Sequence, residues 1–145
     1  MSNPTAENFG FPRTKVAETA SWLILVRPKQ PTFGSLVLIC KESAQAFSQL
    51  SPAAFADLKT AIDGIERMLG QVVAYEKINY LMLMMVDKDV HFHVIPRYAG
   101  SREHRGQVFA DAGWPAAPAL GQTVDLDLDA AERLAGDLAQ VWSAA

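Results

Sequence analysis

The sequence predicts an α+β domain in which an antiparallel sheet carries its helices on one side. Three observations lead there. The residue patterns run strand, strand, helix, strand, strand, helix; one long segment repeats apolar residues at helical spacing; and one short segment alternates apolar residues with histidines. A chain of 145 residues suits a single domain, 1–145, around one core. Half the residues are hydrophobic and a fifth are charged, which excludes a disordered solvating chain.

Residues 1–14 are rich in polar groups, carry Pro4 and Pro12 and show no period, so they are expected as an N-terminal arm or partly frayed end. Trp22 to Val26 and Leu36 to Cys40 are apolar and rich in β-branched residues, with Pro28, Pro31 and Gly34 between them: two strands and a loop. Ser51 and Pro52 supply an N-cap and a first helical residue. Phe55, Leu58, Ile62, Ile65 and Leu69 then follow at steps of three and four, with Gly70 the expected stop. Gly64 weakens this helix by about 1 kcal/mol relative to alanine.

Ile78 to Val86 is almost wholly apolar, as in a strand covered on both faces, and one cover is expected to be a partner subunit. After a turn at Asp87 and Lys88, Val90, Phe92 and Val94 alternate with His91 and His93 up to Pro96, whose missing N–H should end the ladder or keep it at an edge. Residues 99–121 contain glycines, prolines and Trp114 and read as a long surface loop or flap. Asp129 to Glu132 resembles a capping box, and Leu134, Leu138 and Val141 continue a C-terminal helix over 129–143.

Composition narrows the function classes. A formal net charge of −3 lacks the basic excess that binds nucleic-acid backbone, so polymeric nucleic acid is not an expected partner. The longest apolar stretch, Tyr80 to Val86, is far short of the roughly 20 residues of a membrane-spanning helix. Cys40 is the single cysteine, and no charged-then-apolar pattern precedes Lys15; the expected location is the cytoplasm.

The densest cluster of titratable groups is Asp87-Lys88-Asp89-Val90-His91-Phe92-His93. On a strand, Asp89, His91 and His93 share one face, with successive Cα atoms about 6–7 Å apart. An exposed polar strand face would explain them, but the neighbouring apolar run needs no such face for solubility. Arg97, Arg102 and Arg105 follow and add positive charge. Neutral imidazole is a competent nucleophile toward phosphorus, provided one ring nitrogen donates to a carbonyl or carboxylate and leaves the other lone pair free. A second imidazole or an arginine then stabilises charge on the phosphoryl oxygens.

The segment Asp89-Val90-His91-Phe92-His93-Val94-Ile95-Pro96-Arg97 resembles the histidine triad (HIT) motif, His-φ-His-φ-His-φ-φ with φ apolar, and the Pro-Arg that often follows it. Leu25 to Lys29 and Gly34 to Ile39 resemble the family's strand, basic loop and glycine-led strand, and Ser51 to Leu69 sits where its long helix does. The resemblance runs from Val16 to Tyr98. It implies a HIT-like fold, a homodimer, and hydrolysis of a nucleoside phosphoramidate or dinucleoside polyphosphate through a nucleotidyl-histidine intermediate. The middle histidine is then His91, the nucleophile, and the third is His93, which contacts the reacting phosphate.

The first motif histidine is replaced by Asp89, and the further histidine that pairs with it in relatives is replaced by Ser35. The expectation is that the Asp89 carboxylate accepts a hydrogen bond from the Ser35 hydroxyl. Arg27 stands where relatives place a polar contact to ribose, with a role at phosphate or at the surface left open. Leu25 and Val37 are the apolar residues against which a base would lie, though core packing explains both. Arg97 is the remaining nucleotide-binding candidate. Met84 to Lys88 is short and mostly apolar where many relatives have a Gly-rich loop with Gln and Ser or Thr. The covalent step needs no cofactor; whether a divalent cation accompanies a polyphosphate substrate stays open.

Two other classes compete. Asp89, His91 and His93 supply metal-ligand types, but three such residues along one straight strand span about 13 Å, too far to share one ion without a bend or another strand's ligand. A catalytically silent nucleotide-binding module would fit the missing first histidine and the short loop, but it would have no need of His91. His104 reads as a solvated loop residue, Trp114-Pro115 as a loop anchor, and Met82, Met84 and Met85 as core or dimer contacts.

Overall fold

Residues 3–144 are described by a computed structural model. The chain runs α1 (Pro4–Asn8), β1 (Lys15–Glu18), β2 (Trp22–Val26), β3 (Lys29–Gln30), β4 (Leu36–Cys40), α2 (Pro52–Val72), β5 (Lys77–Leu81), β6 (His91–Arg97), β7 (Ser101–His104), β8 (Gln107–Ala110), β9 (Val124–Asp125) and α3 (Leu128–Ser143). Five strands make one antiparallel sheet in the order β1-β2-β4-β6-β5.

Strand alternation divides the sheet into two unlike faces. Ile24, Val26, Leu36, Leu38, Val90 and Val94 point to one side, where they are fully buried with Ala61, Ile65, Met68 and Leu69 of α2 and Ala131, Ala135 and Leu138 of α3. Leu23, Leu25, Val37 and Ile39 point to the other and meet Ala6, Phe9 and Phe11. The helical layer on one side is the expected α+β arrangement.

The predicted long helix forms with Ser51 as N-cap, its Oγ accepting from the Ala54 N–H at 3.1 Å. It passes Gly70 and ends at Val72. Gly64 has a structural reason: a Cβ there would lie 2.3 Å from the Trp142 ring, so the missing side chain admits α3. Gly34, at φ +85°, leads into β4 where a Cβ would meet Val73 at 2.8 Å.

Four expectations are corrected. Residues 3–14 are not a frayed arm: Asn3 caps α1, its Oδ1 accepting from the Ala6 N–H, and Thr5 and Ala6 are buried. The apolar run from Ile78 leaves the sheet after Leu81, and its last residues form a loop in which Met85 and Val86 are 84% and 87% exposed. An apolar run without period does not separate a strand from a loop. The segment 99–121 contains the β7–β8 hairpin, closed by Arg105 and Gly106, both at positive φ as a two-residue hairpin turn requires. The C-terminal helix begins one residue earlier than expected, at Leu128, and its N-cap is Asp127, which accepts from the Ala130 N–H.

Candidate active site

Because Val90 and Val94 fill the core, His91 and His93 emerge on the opposite face, beside Ile39 and Val37 in the paired register of β4. Their rings lie 5.2 Å apart and nearly perpendicular, at 82°. The Phe9 ring covers both, at 6.3 Å from His91 and 5.9 Å from His93. A cavity of about 330 Å³ opens here, lined by Phe9, Arg27, Met84, Asp87, His91 and His93 among others. Met84 sits at φ +54° in the loop that forms the outer wall.

His91 is 2% exposed, and its Nδ1 lies 2.7 Å from the Asp89 carbonyl oxygen. A carbonyl only accepts, so Nδ1 is the donor and carries the ring's proton in the neutral tautomer. The lone pair is then on Nε2. This is the arrangement that an imidazole nucleophile needs, supplied by the backbone.

His93 is held in its neutral form. Burial pushes its pKa down to about 4, and the charges of Arg27 and His91 push the same way, against a smaller opposite pull from Asp87. Its Nδ1 is buried and makes no hydrogen bond. Arg27 follows β2 on the face of Leu23 and Leu25, and its Nε and Nη1 are likewise buried without an acceptor. Burial lowers the Arg27 pKa from its ordinary value.

Asp89 and Ser35 do not meet. The β4–β6 register sets Ser35 beyond the Leu36–Val94 pair and Asp89 beyond the Ile39–His91 pair, at opposite ends of the ladder and about 20 Å apart along it. Ser35 Oγ instead donates to the Thr32 carbonyl at 2.8 Å. Asp89 exchanges two bonds with α1: the Thr5 N–H donates to its carboxylate at 3.3 Å, and its own N–H donates to Thr5 Oγ1 at 3.1 Å. The residue in the first triad position thus fastens the segment that carries Phe9.

Other candidates fall outside the cavity. The Arg97 guanidinium donates to both Asp111 carboxylate oxygens at 2.7 and 3.2 Å, to Asn79 Oδ1 and to the Ala116 carbonyl. It anchors the chain beyond β8. Leu25 and Val37 are fully buried in the cluster beneath Phe9 and Phe11 and serve as core. Arg102 donates to the carbonyls of Val73 and Ala74, and His104 and Arg105 both bind Asp137 of α3, so these groups belong to the helical side and not to the histidines. Among the described residues, no cluster of three or more His, Cys, Asp or Glu side chains is arranged to hold a metal ion.

Phe9 and Thr5 escaped the sequence reading, as did the contact that Asp87 makes. The signal for the first two was Asn3-Pro4, an N-cap followed by proline at the first helical position. Nothing local announced that the Asp87 carboxylate would accept from Asn8 Nδ2 at 2.7 Å, a contact 79 residues apart in the chain.

The model of the HIT domain matches residues 11–100, more than half of the chain. No curated protein matches the sequence. Among solved structures the chain is similar to a histidine triad protein from Bradyrhizobium japonicum, at 20% identity and a TM-score of 0.73 over 97% of this chain and 96% of that one. A histidine triad protein from Marinobacter aquaeolei is similar at 18% identity and a TM-score of 0.69, over 90% and 88% of the two chains. The diadenosine triphosphate hydrolase of Plasmodium falciparum is similar at 13% identity and a TM-score of 0.65, over 89% and 76%. At these identities the likeness is one of fold.

Proposed function

The chain belongs to the HIT-domain family, and on that premise we propose that it is a nucleotide hydrolase or transferase with His91 as its nucleophile. The substrate class is a nucleoside phosphoramidate or a dinucleoside polyphosphate. One observation carries the reading: the bond from His91 Nδ1 to the Asp89 carbonyl, which fixes the tautomer and leaves the Nε2 lone pair for phosphorus.

In the first step His91 Nε2 bonds to the α-phosphorus, and the bond from phosphorus to the leaving nitrogen or oxygen breaks. The electron pair departs with the leaving group, which takes up a proton from solvent. In the second step water attacks the same phosphorus and gives a proton to solvent, the phosphorus–Nε2 bond breaks with its electron pair returning to Nε2, and a nucleoside monophosphate leaves. His93, kept neutral by burial, has one N–H to give to a non-bridging oxygen in both steps. The covalent step needs no cofactor.

The same reading includes a homodimer and a cytoplasmic location. Among the described residues β5 is a sheet edge paired only with β6, so its outer backbone groups are free to pair with a partner strand, which supports a partner at that edge. Among the described residues no helix is long and apolar enough to cross a membrane. Release of AMP from adenosine 5′-phosphoramidate and from diadenosine polyphosphates tests the activity. The wild type should release it, and His91→Ala should be slower by at least about a thousandfold. Equal turnover in the two proteins would overturn the assignment.

A further inference from the structure

We propose that Arg27 binds a second anionic group of the substrate, a phosphate separate from the phosphorus that His91 attacks. The preferred substrates are then nucleotides that carry two separated phosphates. This rests on the nucleotide reading of the cavity and narrows it.

The first support is an unbalanced cation. Arg27 lines the cavity with His91 and His93, yet its Nε and Nη1 are buried and donate to nothing. Among the described residues it forms no ion pair. Asp87, the carboxylate on the same cavity, already accepts from Asn8. Arg27 is partly exposed, but two buried N–H groups without an acceptor are costly, and such groups are ordinarily paired. An anionic ligand supplies the missing acceptor.

The second support is placement. The Arg27 N–H donates to the Ser35 carbonyl at 3.1 Å, so Arg27 stands opposite Ser35, in the row beyond Leu25, Val37 and His93. His91 lies one further pair of residues away, opposite Ile39. Along the strands, Arg27 and His91 are about 13 Å apart, with two strand spacings of about 4.8 Å across. That interval separates backbone positions, and the side chains reach into one cavity from rows four residues apart, which places the guanidinium and the His91 ring against different parts of a ligand that fills it.

The second phosphate has two chemical sources, the sugar or the leaving group. Calorimetric binding of four ligands separates them: a nucleoside 5′-monophosphate, the 2′,5′- and 3′,5′-bisphosphates, and the 5′-diphosphate. In the wild type at least one two-phosphate ligand should bind about tenfold tighter than the monophosphate or better. The gain should vanish in Arg27→Gln and survive in part in Arg27→Lys. A gain confined to the bisphosphates assigns the sugar, and a gain confined to the diphosphate assigns the leaving group. No gain in the wild type, or a gain that survives in Arg27→Gln, would overturn the proposal. If no nucleotide binds, the nucleotide reading itself has failed. Inorganic phosphate then decides for Arg27: thermal protection of the wild type but not of Arg27→Gln keeps the anion site, and equal protection or none removes it.

Discussion

Arg97 and Arg27 are two arginines of one sheet with buried guanidinium nitrogens, the first fully buried and the second in part, and they are satisfied in opposite ways. Arg97, four residues after His93 on β6, has its side chain 4% exposed beside an Asp111 side chain that is 1% exposed, with Asn79 and Ala116 taking its other N–H groups. Arg27 has its Nε and Nη1 buried, with no acceptor among the described residues. β2 and β6 run parallel, so the two arginines lie at the same end of the sheet. The surroundings of Arg97 are closed by its own chain, and those of Arg27 are left open toward the histidine cavity. Buried charge alone therefore does not mark a site; buried charge without its counterion does.

The contrast is sharpest in stability. Arg97→Met leaves Asp111 buried and unpaired and should cost about 3–5 kcal/mol. Arg27→Met removes an uncompensated cation and should cost less than about 1 kcal/mol or stabilise the fold, as exchanges that sacrifice function often do. Urea unfolding of both variants checks this, and similar losses would break the comparison. Next in size is His93→Gln. Losing one positioned donor to the reacting phosphate should slow turnover about 10²–10³-fold while the protein stays folded.

Asp89→Ala should act on the segment that carries Phe9 over the histidines. It removes the acceptor for the Thr5 N–H and should cost about 1 kcal/mol, with amide exchange rising first in residues 4–9. Faster exchange in the β7–β8 hairpin instead would contradict the assigned contact. The smallest effect is on pH dependence. Folded His93 titrates near pH 4 and an ordinary histidine near 6.5, so the folded state resists a proton that the unfolded chain accepts. Stability is fully present above pH 6.5 and declines as pH falls from 6.5 toward 4. Arg27 is one cause of the shift, so Arg27→Gln should make the decline shallower while other substitutions remote from His93 leave it unchanged. Thermal midpoints across that window measure the difference.

Much of this was legible in the residues, for reasons that differ along the chain. The spacing of Phe55 to Leu69 and the Ser51-Pro52 cap specify α2 because helix period and capping are local. The alternation around His91 and His93 specifies their shared face because strand period is local too. The hidden parts depend on long-range partners. Gly64 reads as a weakness until Trp142 is seen against it. Arg97 and Arg27 look alike until Asp111, fourteen residues from Arg97, pairs with one and no described residue pairs with the other. Asp89 reads as a partner for Ser35 until the register of β4 and β6 sets them at opposite ends.

The central claim is that His91 forms a covalent bond to phosphorus. Rapid mixing with adenosine 5′-phosphoramidate, acid-free quenching and intact-protein mass spectrometry test it directly. The wild type should gain the mass of one adenylyl group, mapped to His91 and absent from His91→Ala. Steady AMP release with no adduct at any time, or an adduct that persists in His91→Ala, would contradict it.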